Sequence, residues 1–226
     1  MFQTSAAWAS IYPGAHVGVL AMRGVANPAH HAELEKQKAA LEEQLRARWA
    51  GQDRRALELL PVLQAYNTYY RRFKKSYHVQ LQLESIVFKG KALPAGAALV
   101  QAMFMAEVKN LLLTAAHDLD KTQGALTLEV ARGDETYLLM RGQLQTLKAG
   151  DMFIADGAGI LSSIIYGPDQ RTAIGPETRR VIFTVYAPPG IAAADVGQHL
   201  DDIQQNVMSL APAAQVELLN VFGAAR

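Results

Sequence analysis

The sequence predicts an α+β fold: mixed or antiparallel sheets around a buried central helix, with further helices at its N- and C-terminal ends. Three observations predict it. Amphipathic helical patterns crowd the first third of the chain. Short apolar runs bounded by Gly, Pro and Asp crowd the part after Gly124. Between them lies one helix-length segment that is apolar on every side.

The 226 residues suffice for a substantial core, and 50% hydrophobic with 19% charged residues is the balance of a folded globular protein. We read residues 1–226 as one domain, with 1–75 a largely helical N-terminal part and 192–226 a C-terminal helical tail. Val17–Met22 is short, apolar and flanked by turn residues, which predicts a buried strand. Asn27 and Pro28 have the chemistry of an N-cap and a first helical residue. The helix they open carries Leu34, Leu41, Leu45 and Trp49 on one face. A second helix is expected from Arg54, with Pro61 kinking or dividing it.

Residues 66–75, Tyr-Asn-Thr-Tyr-Tyr-Arg-Arg-Phe-Lys-Lys, interleave aromatics with four cations. Such texture suits a nucleic-acid surface, where cations meet phosphates and rings stack on bases, and makes Arg71, Arg72, Lys74 and Lys75 candidate RNA contacts. It equally suits a helix C-terminus whose cations complement the dipole. Val79–Phe88 opens with Leu81 and Leu83 alternating with polar residues, which predicts a half-buried strand ended by Lys89-Gly90-Lys91. Ala97–Leu113 is the central helix. Leu126, Leu128 and Val130, the turn Arg132-Gly133-Asp134 and Thr136–Met140 predict a hairpin. Met152–Ala155, Ile160–Ile165 and Val181–Ala187 are further strands. Val196, Leu200, Ile203, Val207 and Leu210 mark a closing amphipathic helix.

Composition narrows the chemistry. The absence of cysteine excludes disulfides, thiolate nucleophiles and Cys-based zinc sites. A formal net charge of +1 means that any nucleic-acid contact must come from a local patch. No run approaches the roughly eighteen apolar residues of a spanning helix, and no secretory leader is visible, so a cytoplasmic location without membrane contact is expected. Phosphate-loop, dinucleotide-fingerprint, His-Glu-x-x-His and nucleophile-elbow motifs are absent from the sequence. We expect no cofactor.

Two stretches concentrate polar chemistry. His117, Asp118 and Asp120 crowd an imidazole and two carboxylates into four positions, but an extended segment sends adjacent side chains to opposite sides. Such a segment cannot easily aim all three at one ion, so no metal is expected. His117 remains a candidate general base, while Asp118 or Asp120 could simply cap the turn. The loop 166–180 holds two Gly, two Pro and the cations Arg171, Arg179 and Arg180. It can bind phosphate or carboxylate, or be a well-ordered loop in which Arg171 pairs with Asp169 and Thr172 caps a turn.

The ordered series His117-Asp118-Leu119-Asp120-Lys121, Gly124–Ala131 with Gly133-Asp134-Glu135, Ala155-Asp156 with Ala158-Gly159-Ile160, and Thr172 through Thr178 resembles the tRNA-binding and editing domain of the phenylalanyl-tRNA synthetase beta subunit. The resemblance covers most of residues 10–191. It implies a three-layer fold with a pocket between sheet and helix, where the synthetase hydrolyses a mischarged aminoacyl ester. It also implies that His117 is the pocket histidine of a His-x-x-Asp segment, with Asp120 its Asp and Thr178 the threonine after the Gly-rich loop. Gln170 stands where the family has a glutamate, and Glu135 matches a structural Gly-x-Glu segment.

One reading is a tRNA-associated protein that hydrolyses aminoacyl-tRNA in trans, with His117 holding the water and backbone N–H groups of 157–159 serving the oxyanion. Asp120, Asp156, Asp169, Gln170, Arg171, Thr172 and Thr178 are then the candidate ligand contacts. The other is a non-catalytic module that binds RNA or an amino-acid-like ligand, with Arg171 for a carboxylate and Asp169 for an ammonium. A structural or partner-binding protein without a ligand is the third.

Overall fold

A computed structural model describes residues 2–224. In chain order its elements are β1 (Phe2–Thr4), α1 (Ala6–Ile11), β2 (His16–Arg23), α2 (Ala32–Arg48), α3 (Arg54–Glu58), α4 (Pro61–Arg72), α5 (His78–Val87), α6 (Ala98–Asn110), β3 (Leu113–Asp118), a 3-10 turn (Leu119–Lys121), β4 (Leu126–Val130), β5 (Thr136–Leu138), β6 (Leu144–Thr146), β7 (Met152–Asp156), β8 (Gly159–Ser163), β9 (Gly167–Pro168), β10 (Arg180–Ala187), α7 (Ala193–Leu210) and β11 (Gln215–Gly223).

The middle layer is an antiparallel sheet in the order β11-β2-β10-β3. Its ladder assigns the faces. Gly18 lies opposite Val185 and faces α7, while His117 and Tyr186 point the other way, to Ser162 on β8. Helix α7 therefore covers one face, with α6 packed against it and against the edge strand β3, and the sheet β1-β4-β7-β8-β9, with β1 and β4 parallel, covers the other. Strands buried on both faces need apolar residues at nearly every position, which is how β2 and β10 read. A Cβ at Gly18 would stand 2.6 Å from Val196 Cγ1. Gly18→Ala should thus lower stability by about 1–3 kcal/mol in urea unfolding, because a branched, packed side chain cannot easily yield.

The central helix α6 is buried as predicted, but its start is capped from a distance. Leu99 N–H donates to Asn27 Oδ1 (3.0 Å), Ala98 N–H to the Pro28 carbonyl (2.9 Å), and Asn27 Nδ2 donates to the Gly175 carbonyl (3.0 Å). Asn27 is thus a helix cap, though not of the helix that follows it. α2 begins at Ala32, capped by His31 Nδ1 accepting from Leu34 N–H. Pro61 does divide the second helix and sits at the start of α4.

Three expectations fail. Residues 79–88 form helix α5, because Val79, Leu83 and Ile86 recur at helical spacing and are buried, whereas Leu81 is 43% exposed. The 126–140 hairpin does not form: β4 pairs with β1 and β7, while β5 pairs with β6. The Glu135 carboxylate instead accepts the Arg132 and Gly133 N–H groups and closes the intervening turn. The C-terminal tail is helical only to Leu210. β11 then returns antiparallel along β2, whose edge would otherwise lie bare.

Candidate functional site

The polar residues near His117 fold into one buried hydrogen-bonded chain. His117 itself is fully buried on β3. Its Nδ1 lies 2.7 Å from Thr172 Oγ1 and its Nε2 3.0 Å from Ser162 Oγ. The Thr172 hydroxyl donates in a short bond to Asp169 Oδ1, so it accepts from His117 Nδ1–H, and Nε2 accepts from Ser162. Ser162 Oγ then accepts from the Tyr186 hydroxyl (2.7 Å). Burial, reinforced by the charge of Arg171, drives the His117 pKa down to about 3, so the ring is neutral. Burial also raises Asp169.

Arg171 does not depend on Asp169. Its guanidinium grips Asp156 through two hydrogen bonds (2.9 and 3.1 Å), with Asp169 Oδ2 at 3.7 Å. Burial opposes ionisation of Asp156, but the Arg171 fork and backbone N–H donors hold its pKa below the ordinary value. Those donors include Ala158 and Gly159, both directed at Asp156 Oδ1, while Gly157 N–H donates to the Gln123 carbonyl. The 157–159 backbone is therefore occupied and offers no oxyanion site. Thr178 donates to Asp118 (2.8 Å), and Asp118 accepts the Asp120 N–H as the cap of the 3-10 turn. Asp120 itself pairs at the surface with Arg180 (2.9 Å), and Gln170 is exposed. Neither joins the buried chain.

Beside this chain, not on it, is a cavity of about 300 Å³. Its walls come from α6 (Val100, Met103, Phe104, Glu107), β3 (Leu113–Ala116), the end of β8 with β9, and α5 (His78, Gln82), with Tyr186, Met140 and Ile174 completing it. His117 does not line it, but Tyr186, the last member of its chain, does. Glu107 is 1% exposed, and burial drives its pKa up to about 8 although Oε1 accepts the Thr114 N–H at 2.7 Å. The sequence does not announce Glu107 as a site residue, because it lies near the end of an otherwise apolar helix. A carboxyl set among the apolar residues Met103, Ala106, Val108 and Leu111, all buried, is the one signal it gives.

The aromatics of 66–75 serve the core. Tyr66, Tyr69, Tyr70 and Phe73 are buried, with Tyr66 stacked on Tyr77 at 4.1 Å and Tyr70 donating to the Ile164 carbonyl. They are not free to stack on bases. Arg72 lies over the Tyr12, Tyr69 and Phe73 rings and donates to Tyr12 Oη (3.0 Å). Arg71, Lys74 and Lys75 are exposed and make no ion pair among the described residues. Arg71 and Lys75 line a polar hollow with Ser76, Tyr77 and the Arg54–Glu58 ion pair (3.2 Å), which leaves two cations there unpaired among the described residues. The next residue, His78, lines the apolar cavity, and Lys75 Nζ sits 6.0 Å from the ring centre of Tyr166, between cavity residues Ile164 and Gly167. Cationic hollow and apolar cavity are adjacent.

Among the described residues, no helix is long and apolar enough to cross a membrane. No curated protein matches the sequence. Among solved structures, the N-terminal fragment of the phenylalanyl-tRNA synthetase beta subunit from Pyrococcus horikoshii is similar, with a TM-score of 0.50 and 10% identity. The match covers 96% of this chain and 50% of that one, and at this identity it shows the fold alone. The sequence profile described as the B3/4 domain matches residues 65–206, from the middle of α4 nearly to the end of α7, and thus both the buried chain of His117 and the cavity beside it: the chain belongs to the B3/4 domain family.

Proposed function

We propose that the protein is tRNA-associated and holds the aminoacylated end of a tRNA, with the acyl group in the cavity and nearby phosphates on Arg71, Lys74 and Lys75. One observation carries this reading: an apolar cavity of amino-acid size adjoins a hollow lined by cations, joined through consecutive residues Lys75 to His78. Membership of the B3/4 family and the fold shared with a synthetase fragment support it. The structure offers His117 no contact with a substrate in the cavity, so binding fits the geometry better than hydrolysis with His117 as the base.

Titrating tRNA at increasing salt tests this. Log affinity should fall linearly with log salt. Neutralising Arg71, Lys74 and Lys75 together should flatten the slope by about 2, near 0.7 for each single-strand phosphate that no longer meets a cation. A slope unchanged by the triple substitution would remove the proposed phosphate site. Hydrolysis in trans is the second reading, and Tyr186 is the observation that favours it: the tyrosine lines the cavity and ends the chain from His117. In that case His117 is a positioning residue. Mischarged tRNA would then be deacylated by wild type and much more slowly by Tyr186→Phe, with kcat falling and binding kept.

A further inference from the structure

The cavity is apolar except for a few groups, and one of these has no account in the fold. Glu107 makes a single side-chain hydrogen bond among the described residues, through Oε1 to Thr114 N–H, and Oε2 has no partner there. A buried carboxyl ordinarily has a counter-ion or a complete set of donors. No Lys or Arg lines the cavity. The titratable groups around Glu107 are Tyr66 and Tyr70 on α4, Tyr77 and His78 from the start of α5, His199 on α7 (reached through Thr114), and Tyr186 on β10. Burial raises every one of these tyrosines and lowers both histidines, so none carries a charge at neutral pH. Any cation that meets Glu107 must therefore arrive with a ligand.

We propose that this cavity is an amine site: it takes a primary ammonium group borne on an apolar, amino-acid-sized body, with Glu107 as the anionic partner and Val100, Met103, Phe104 and Ile164 packing the body. The proposal rests on the reading that the cavity holds an acyl end and names the chemistry of that end. It needs no RNA, so small amines must bind whether or not tRNA does.

Proton linkage gives the site a signature. In the free protein Glu107 keeps its proton until about pH 8, whereas beside an ammonium it ionises earlier. Binding below pH 8 therefore releases a proton, and affinity should rise toward tenfold per pH unit between pH 6 and 8. A neutral hydroxyl ligand releases none.

The experiment is calorimetric titration of the whole protein with 2-phenylethylamine, 2-phenylethanol and 3-phenylpropionate, in buffers of different ionisation enthalpy. The amine is expected to bind at least tenfold more tightly than the alcohol at pH 7.5 with release of about three-quarters of a proton, and the carboxylate not at all. Glu107→Gln, which can still accept the Thr114 N–H, should remove the amine's advantage and keep alcohol binding. If that variant does not fold, the wild-type proton release decides alone. Equal binding of amine and alcohol, binding without proton release, or no binding of the amine would each overturn the proposal. tRNA binding that persists while amines fail sinks the amine site and spares the RNA reading, and the reverse pattern separates them the other way.

Discussion

His117→Ala is expected to lower stability by about 3–5 kcal/mol, the range for emptying a packed site and leaving buried hydroxyls short of a partner. The imidazole fills a fully buried position between β3 and β8 and joins Thr172 on one side to Ser162 on the other. Its removal leaves Thr172 Oγ1 without its donor and Ser162 without its acceptor, and both residues are themselves fully buried. Urea unfolding followed by circular dichroism measures the loss. Thr172→Val keeps the ring but strands its Nδ1–H, and should cost about 1–3 kcal/mol. The double substitution should fall short of the sum by 0.5 kcal/mol or more, because the residues share one bond (~0.5–3 kcal/mol for such neighbours). A His117→Ala loss below ~1 kcal/mol would show that the chain does not hold the two sheets together. The activity of this variant must be read at a temperature where it is still folded.

The second large effect is a stability plateau between about pH 4 and 6.5 that falls on both sides. Four buried groups set it: His117, His199, Glu107 and Asp151, the last buried just before β7 and accepting the Tyr69 hydroxyl (2.8 Å). His117 and His199 are held near pKa 3 against an ordinary 6.5, while Glu107 and Asp151 are held near 8 and 7 against 4.5 and 3.8. Burial is the leading cause in all four. As pH falls below 6.5, the unfolded histidines take up protons that the folded ones refuse, so stability drops. As pH rises above about 4, the unfolded carboxyls lose protons that the folded ones keep, so stability drops in the other direction. Two terms of each sign cancel across the window. Above pH 6.5 only the carboxyl terms remain, giving a loss on the order of 3 kcal/mol by pH 8, and below pH 4 the histidine terms take a similar amount by pH 3. Unfolding measured from pH 3 to 9 checks this, and Glu107→Gln should remove most of the alkaline limb. A stability that rises steadily from pH 4 to 8 would contradict the assignment.

Much of this architecture is legible in residue patterns, and the failures have physical causes. α6, β2, β7, β8, β10 and α7 are visible because burial on all sides, or on one helical stripe, leaves an unambiguous apolar pattern. The 79–88 segment misleads because Leu81 and Leu83 alternate locally while the buried set, Val79, Leu83 and Ile86, is spaced for a helix. The hairpin misleads because pairing is a tertiary choice: β4 takes β1 and β7, 124 and 28 residues away along Gln3↔Thr127 and Thr127↔Ala155. The chain of His117 is half visible. Thr172 and Asp169 are candidates from sequence, but Ser162 and Tyr186 are hidden in strands whose register no local motif announces. Glu107 is hidden because only the closed fold gives it a cavity.

The order of the middle sheet has a practical consequence for anyone cutting the gene. Residues 65–206 match the family profile, yet β2 lies between β10 and β11, and neither β2 nor β11 is within those bounds. A fragment trimmed to the match would keep β10 and β3, strip β10 of its other neighbour along eight residue pairs, uncover the α7 face that packs on Gly18, and remove the Asn27 cap of α6. Such a fragment should express as an aggregating, strand-edged piece. Phe2 and Phe222 meet at 5.3 Å between ring centres, so the two ends of the described chain are neighbours. The exposed 141–143 turn between β5 and β6 is the place in this chain where an insertion should be tolerated.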